Sequence, residues 1–98
     1  MKRLLMLGGG FLQTYVIKKA RSLNYYVLCL DANPNAEGFQ YANESAVINI
    51  VDTEACLEYA RTHNIDGVLT AATDYGVLAM SYIATELNLP GINYSSAK

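Results

Sequence analysis

Arg3-Leu4-Leu5-Met6-Leu7-Gly8-Gly9-Gly10-Phe11-Leu12-Gln13 is an apolar run that breaks at three glycines and passes straight into a helical pattern. Short apolar runs and longer helical stretches then alternate at intervals of about twenty residues, the mark of repeated βαβ units. Strands are expected at 3–7, 25–30, 46–50, 67–70 and, briefly, 91–93. Their nearly continuous apolar character suits strands covered on both faces, as in a parallel sheet. The expected fold is therefore α/β: a Rossmann-like three-layer module with a parallel sheet of about five strands in the order 3-2-1-4-5. Residues 1–98 would form a single domain.

The helices follow from periodicity and capping. The first is predicted over 11–23, with Leu12, Val16, Ala20 and Leu23 on one inward stripe and Lys18, Arg21 and Ser22 facing away. The second starts after Asp52 or Thr53, either of which can accept from the open backbone N–H groups of a first turn. Its inner face is read as Cys56, Tyr59, Ala60 and His63. The third follows Thr73-Asp74, with Val77, Met80, Ala84 and Leu87 inward. Asn24, Asn64 and Asn88 each stand between a helix and a strand, and asparagine tolerates the left-handed conformation that ends helices. Residues 31–44 read as a loop with one helical turn near Phe39-Gln40-Tyr41-Ala42.

Composition narrows the function classes. With 52% apolar and 16% charged residues the 98-residue chain is expected to fold, and a net charge of −2 offers nucleic acid or an anionic membrane no basic surface. The opening apolar run is only four residues long, too short for a signal-peptide core, and no stretch approaches the roughly 18 to 20 residues of a membrane span. Cys29 and Cys56 lack any metal or redox spacing and read as buried, reduced thiols. A cytoplasmic setting fits. The single histidine, His63, lies at a helix end with no triad partner in the pattern, and the eight tyrosines read as packing residues.

In an open parallel sheet, ligands bind beyond the carboxyl ends of the strands where the strand order reverses. Loops 8–13, 31–35 and 71–75 meet there. Gly8, Gly9 and Gly10 suit a phosphate or carboxylate held against backbone N–H groups at a helix N-terminus; they equally suit a tight strand-to-helix turn. Gly8 and Gly10 match the G-x-G-x-x-G dinucleotide pattern, but Gln13 stands at its last glycine. Asp31, 23 residues after Gly8, occupies the place of a ribose-binding acid and can also cap the turn Asp31-Ala32-Asn33-Pro34. Thr73 and Asp74 can cap the third helix, and having two such groups leaves one to contact a ligand.

These loops give the chain a family likeness. The start Arg3 to Gly10, the segment Asp31-Ala32-Asn33-Pro34-Asn35-Ala36-Glu37-Gly38, and the runs Ile65-Asp66-Gly67-Val68-Leu69-Thr70, Ala71-Ala72-Thr73-Asp74 and Leu87-Asn88-Leu89-Pro90-Gly91 carry it. Together they resemble the N-terminal pre-ATP-grasp domain of ATP-grasp ligases, which is biotin-carboxylase-N-terminal-like. The likeness is to proteins similar to carbamoyl-phosphate synthase large chain in particular. Asn24, Asn64 and Asn88 stand where that family often has glycine, and Asn43 where it often has aspartate.

The resemblance implies a parent enzyme that uses ATP and magnesium to turn a carboxylate or bicarbonate into an acyl phosphate, which an amine or other nucleophile attacks. It places ATP and Mg2+ in domains that follow, leaving no cofactor or metal in these residues and no catalytic group. Gly8, Gly9, Gly10, Phe11, Gln13, Asp31, Thr73 and Asp74 are then the contacts expected for a small-molecule substrate. Ser95-Ser96-Ala97-Lys98 read as the cap and first turn of a further helix, so a longer polypeptide is expected, with its downstream domains as partners and a homodimer open. An NAD(P)-binding Rossmann module and a regulatory or oligomerising α/β domain are the alternatives.

Overall fold

The computed structural model of the protein describes residues 1–70 and 74–93, with the backbone alone at 74–75 and 92–93. The elements run β1 (Arg3–Leu7), α1 (Phe11–Ser22), β2 (Tyr26–Asp31), a 3-10 turn (Glu37–Gln40), β3 (Glu44–Val47), α2 (Thr53–Thr62), β4 (Gly67–Thr70), α3 (Asp74–Leu87) and β5 (Gly91–Asn93). All four strand pairings are parallel, in the order β3-β2-β1-β4-β5. The expected architecture is the observed one.

β1 at the centre aligns Leu5 with Leu28 on one side and with Val68 on the other. Alternation along the strands divides the core in two. Leu5, Leu7, Leu28, Leu30 and Val68 face Cys56, Leu57 and Ala60 of α2 and Ala79 and Ile83 of α3. Met6, Val27, Cys29 and Leu69 face Val16, Ile17 and Ala20 of α1. This distribution follows from right-handed crossovers, which put connections running in opposite directions across the sheet on opposite faces. On the α1 side the sheet is thinly covered: a groove of about 330 Å³ lies between Ala20 of α1 and the helix's C-cap Leu23, Leu4 and Leu69 of the sheet, and Pro90.

Helix ends behave as the asparagines predict. Asn24, Asn64 and Asn88 have φ of 72°, 52° and 55°. At Asn24 and Asn88 the next residue bonds back five positions, Tyr25 N–H to the Ala20 carbonyl at 3.1 Å and Leu89 N–H to that of Ala84 at 2.9 Å. These are Schellman closures, which satisfy carbonyls that the helix leaves open. Of the two expected caps of α2, Asp52 serves: its Oδ1 accepts the Ala55 N–H at 3.1 Å.

Four expectations are corrected. The buried face of α1 is Gln13, Thr14, Val16, Ile17 and Ala20, while Leu12 and Leu23 are more than half exposed. α2 buries Leu57 beside Cys56 and Ala60 and leaves Tyr59 and His63 half-buried; α3 centres on Ala79 and Ile83, with Val77, Met80, Ala84 and Leu87 at its flanks. β3 begins at Glu44 and ends at Val47, earlier than expected, because Asn43 sets its start. The Val27 N–H donates to Asn43 Oδ1 and the Asn43 N–H to the Val27 carbonyl, both at 2.8 Å. Ile48 and Ile50 reach the core from beyond the ladder. An aspartate could accept the same Val27 bond, so the amide at position 43 keeps this function.

Among the described residues no helix is long and apolar enough to cross a membrane.

Candidate functional site

The loops that follow β1 and β2 meet at the carboxyl edge of the sheet. Gly8 continues the ladder, its N–H donating to the Leu30 carbonyl at 2.7 Å, and then turns with φ of +102°, a conformation that L side chains rarely adopt. The next N–H, that of Gly9, donates to Asp31 Oδ2 at 2.8 Å, and Asp31 Oδ1 accepts from Asn33 N–H at 2.9 Å. Asp31 therefore caps its own turn and also clamps the glycine loop to the end of β2.

Gly9 is needed for packing. A Cβ there would stand 2.9 Å from Cys29 Sγ and 3.4 Å from Ala36 Cβ, and a Cβ on Gly38 would stand 2.9 Å from both Gly9 Cα and Ile17 Cδ1. Gly38 N–H donates to the Gly9 carbonyl at 2.7 Å. Two glycines thus let the 3-10 segment lie directly on the loop, backbone against backbone. Burial pushes the Cys29 thiol up to about 12, with the Asp31 charge adding to it, so this sulfur is a neutral packing group that leans toward the Gly8 carbonyl at 3.6 Å. The part played by Cys29, Ala36 and Gly38 was not read from sequence; Gly38 in the loop was its only visible sign.

Gly10 is exposed and is the N-cap of α1, without a side-chain hydrogen bond and with no acidic residue in the first turn. The N-terminal end of the dipole there is uncompensated by any acidic side chain of its own turn, the electrostatic arrangement that favours an anion. Gln13 is the third residue of the helix, from which a glutamine side chain reaches back to the cap. It is 6% exposed, and its carboxamide lies 3.5 Å (Nε2) from the Cβ position of Gly8 and 3.0 Å (Oε1) from that of Gly10. Thr14 Oγ1 donates to the Gly10 carbonyl at 3.0 Å.

The outer side of the same turn is apolar. Phe11 is 80% and Tyr15 74% exposed, and with Leu12, Lys18 and Glu37 they border a shallow hollow of about 290 Å³.

The structure thus brings Gly8, Gly9, Gly10, Gln13 and Asp31 together and leaves Phe11 pointing outward beside them. Thr70, the last residue of β4, is fully buried and pairs with Leu7 in the ladder, so β4 ends next to the glycine loop. Thr73 lies outside the described residues. Asp74 is the first residue of α3, and its side chain lies outside them. Among the described residues no group of three His, Cys, Asp or Glu could hold a metal ion.

No protein-family model and no curated protein matches the sequence. Solved structures do. Phosphoribosylglycinamide synthetase from Anaerococcus prevotii is 28% identical over 94% of this chain and 24% of its own, with a TM-score of 0.83. N5-carboxyaminoimidazole ribonucleotide synthetase from Thermotoga maritima is 23% identical over 92% of this chain and 24% of its own, with a TM-score of 0.77. UDP-glucose 4-epimerase from the same organism, solved with UDP-glucose, shares the fold at 17% identity over 93% of this chain and 37% of its own, with a TM-score of 0.74. The chain spans about a quarter of the synthetases it matches. The two synthetases bear out the resemblance expected from sequence, to the N-terminal domain of ATP-grasp ligases.

Proposed function

We propose that this chain is the substrate-side N-terminal domain of an ATP-dependent ligase of the ATP-grasp superfamily, inactive by itself. The likeness to phosphoribosylglycinamide synthetase, at 28% identity over nearly the whole chain, carries the reading. The parent would activate a carboxylate or bicarbonate as an acyl phosphate and pass it to an amine or other nucleophile. The order of the glycine loop, the segment from Asp31 to Gly38 and the run Ala71-Ala72-Thr73-Asp74 supports a relation to carbamoyl-phosphate synthase large chain within that superfamily.

This domain's share would be a wall of the substrate cleft: Gly8, Gly9, Gly10 and Gln13, held by Asp31, with Phe11 at the rim, and with Thr73 and Asp74 as the further contacts the sequence offers. The first turn of α1 would face an anionic group of the substrate. ATP and Mg2+ would be held by the domains that follow; among the described residues no group of three His, Cys, Asp or Glu could hold a metal ion. The exposed Phe11, Leu12 and Tyr15 suit packing against those domains. Neutral buried thiols at Cys29 and Cys56 fit a cytoplasmic setting.

The test is the gene. The coding sequence after Lys98 is expected to contain, within roughly two hundred residues, a second α/β lobe pair with a lysine and a late Glu/Asn metal cluster. Its purified product should release ADP only with a carboxylate or bicarbonate and a nucleophile present. A parent without those lobes ends the proposal.

The alternative of an NAD(P)-binding Rossmann module has only the fold on its side. Gly8, Gly10 and Asp31 lie on a fold shared with UDP-glucose 4-epimerase, the frame on which dinucleotides are bound.

A further inference from the structure

We infer that Gln13 is the residue that closes this Rossmann-like frame to dinucleotides. In the dinucleotide pattern the pyrophosphate rests at the N-terminus of the first helix, the second glycine lets backbone approach it, and the third lets helix and strand pack closely. Here the first two glycine positions are kept as Gly8 and Gly10, and the third is filled by Gln13. Its side chain folds back into the loop. The carboxamide lies 3.5 Å from the Cβ position of Gly8 and 3.0 Å from that of Gly10, so it covers the faces that the missing side chains would leave open. At 6% exposure it is packed in place.

Two further features close the cradle from the other side. Asp31, placed for a ribose, already accepts from Gly9 N–H and Asn33 N–H through its two oxygens, at 2.8 and 2.9 Å. The Gly9 carbonyl accepts the Gly38 N–H at 2.7 Å, so the 3-10 segment holds the loop from behind. A diphosphate must displace the Gln13 carboxamide before it meets the loop backbone, while a ligand that needs only the exposed Gly10 edge does not. This discrimination belongs to loop geometry and holds whether or not the parent is a ligase.

Calorimetric titration of the 98-residue chain with NADH tests it, with wild type beside Gln13→Gly, Gln13→Ala and Gln13→Glu, each checked for folding by circular dichroism. Wild type and Gln13→Glu are expected to show no saturation below about 1 mM. Gln13→Gly and Gln13→Ala are expected to tighten binding at least about tenfold. Gln13→Ala covers the case in which glycine frays the first turn. Micromolar binding by wild type overturns the inference, as do folded Gly and Ala variants that gain no affinity. Neither result bears on the ligase reading, which the parent's own activity decides.

Discussion

Asp31 and Gly9, 22 residues apart in sequence, are joined by a 2.8 Å hydrogen bond from the Gly9 N–H to the carboxylate that ends β2. The acid in the ribose position is thus a clamp on the loop, and its removal should be felt in stability. Hydrogen bonds to charged groups contribute about 1.5–3 kcal/mol. Asp31→Ala, losing both the Gly9 and Asn33 bonds, should cost about that much, and a melt should fall by roughly 4–8 °C per kcal/mol in a domain of this size. Asp31→Asn, keeping one acceptor, should lose less. An unchanged melt for Asp31→Ala would show that the clamp is not formed.

Gly9→Ala should be costly for a different reason. The new methyl would stand 2.9 Å from Cys29 Sγ, and overpacking of this kind costs about 1–3 kcal/mol. Since sulfur is the obstacle, Cys29→Ala in the same chain should recover part of the loss. Additive effects in a double-mutant cycle would place the strain elsewhere.

The left-handed asparagines give a paired comparison. At Asn24, Asn64 and Asn88 alanine should cost roughly 1–2 kcal/mol per site, the penalty of a Cβ in that conformation, whereas glycine should be close to neutral. Chemical denaturation of the six single variants measures this, and an alanine as stable as glycine at any site would contradict its positive φ.

His63 should matter modestly. Its ring stacks on Tyr59 at 3.8 Å, its Nδ1 lies 2.7 Å from the Tyr59 carbonyl, and its own carbonyl accepts from Arg3 Nε at 2.9 Å. The last of these is backbone and survives substitution. His63→Ala should therefore cost on the order of 0.5–1.5 kcal/mol, the size of an aromatic pair. A loss several times larger would mean that the ring supports more than α2.

Both thiols predict an alkaline limit. Burial pushes Cys29 from 9.0 to about 12 and Cys56 from 9.0 to about 11, with nearby Asp31 and Asp52 adding to it. Folded pKa values above the unfolded ones mean that the folded chain holds protons the unfolded chain has released. Their contribution is complete below pH 9.0 and is lost as pH rises toward 11 and 12. Each thiol then contributes a slope of at most about 1.4 kcal/mol per pH unit. Denaturant melts from pH 8 upward should show the decline, and a Cys29→Ala/Cys56→Ala chain should show less of it.

The sheet order, the β1–α1 turn and the three asparagine closures were legible because each depends on local chemistry: an apolar run, missing side chains, tolerance of positive φ. The rotation of α1 was not. Val16 and Ala20 lie on both the expected and the observed stripe, and choosing Leu12 over Gln13 follows from treating glutamine as a surface residue. Gln13 is buried because the glycine loop gives its amide a place that no periodicity encodes. β3 was displaced for a similar reason: the alternation Ala46, Ile48, Ile50 is real, but Asn43 pairing with Val27 sets where the ladder starts. At the site, Asp31 was located correctly and its bond to Gly9 was not, since that contact exists only once β1 and β2 lie side by side.

Of the described strands β1 is made first and lies at the centre, and its second neighbour, β4, begins only at Gly67. At synthesis rates of about 5–20 residues per second, several seconds separate the two. Through that interval the backbone groups of residues 4–7 that will pair with β4 have no strand beside them, on a segment made almost wholly of leucine. Such an edge readily recruits strands from other chains. The nascent protein therefore passes through a window of vulnerability to aggregation, which closes when Val68 reaches Leu5.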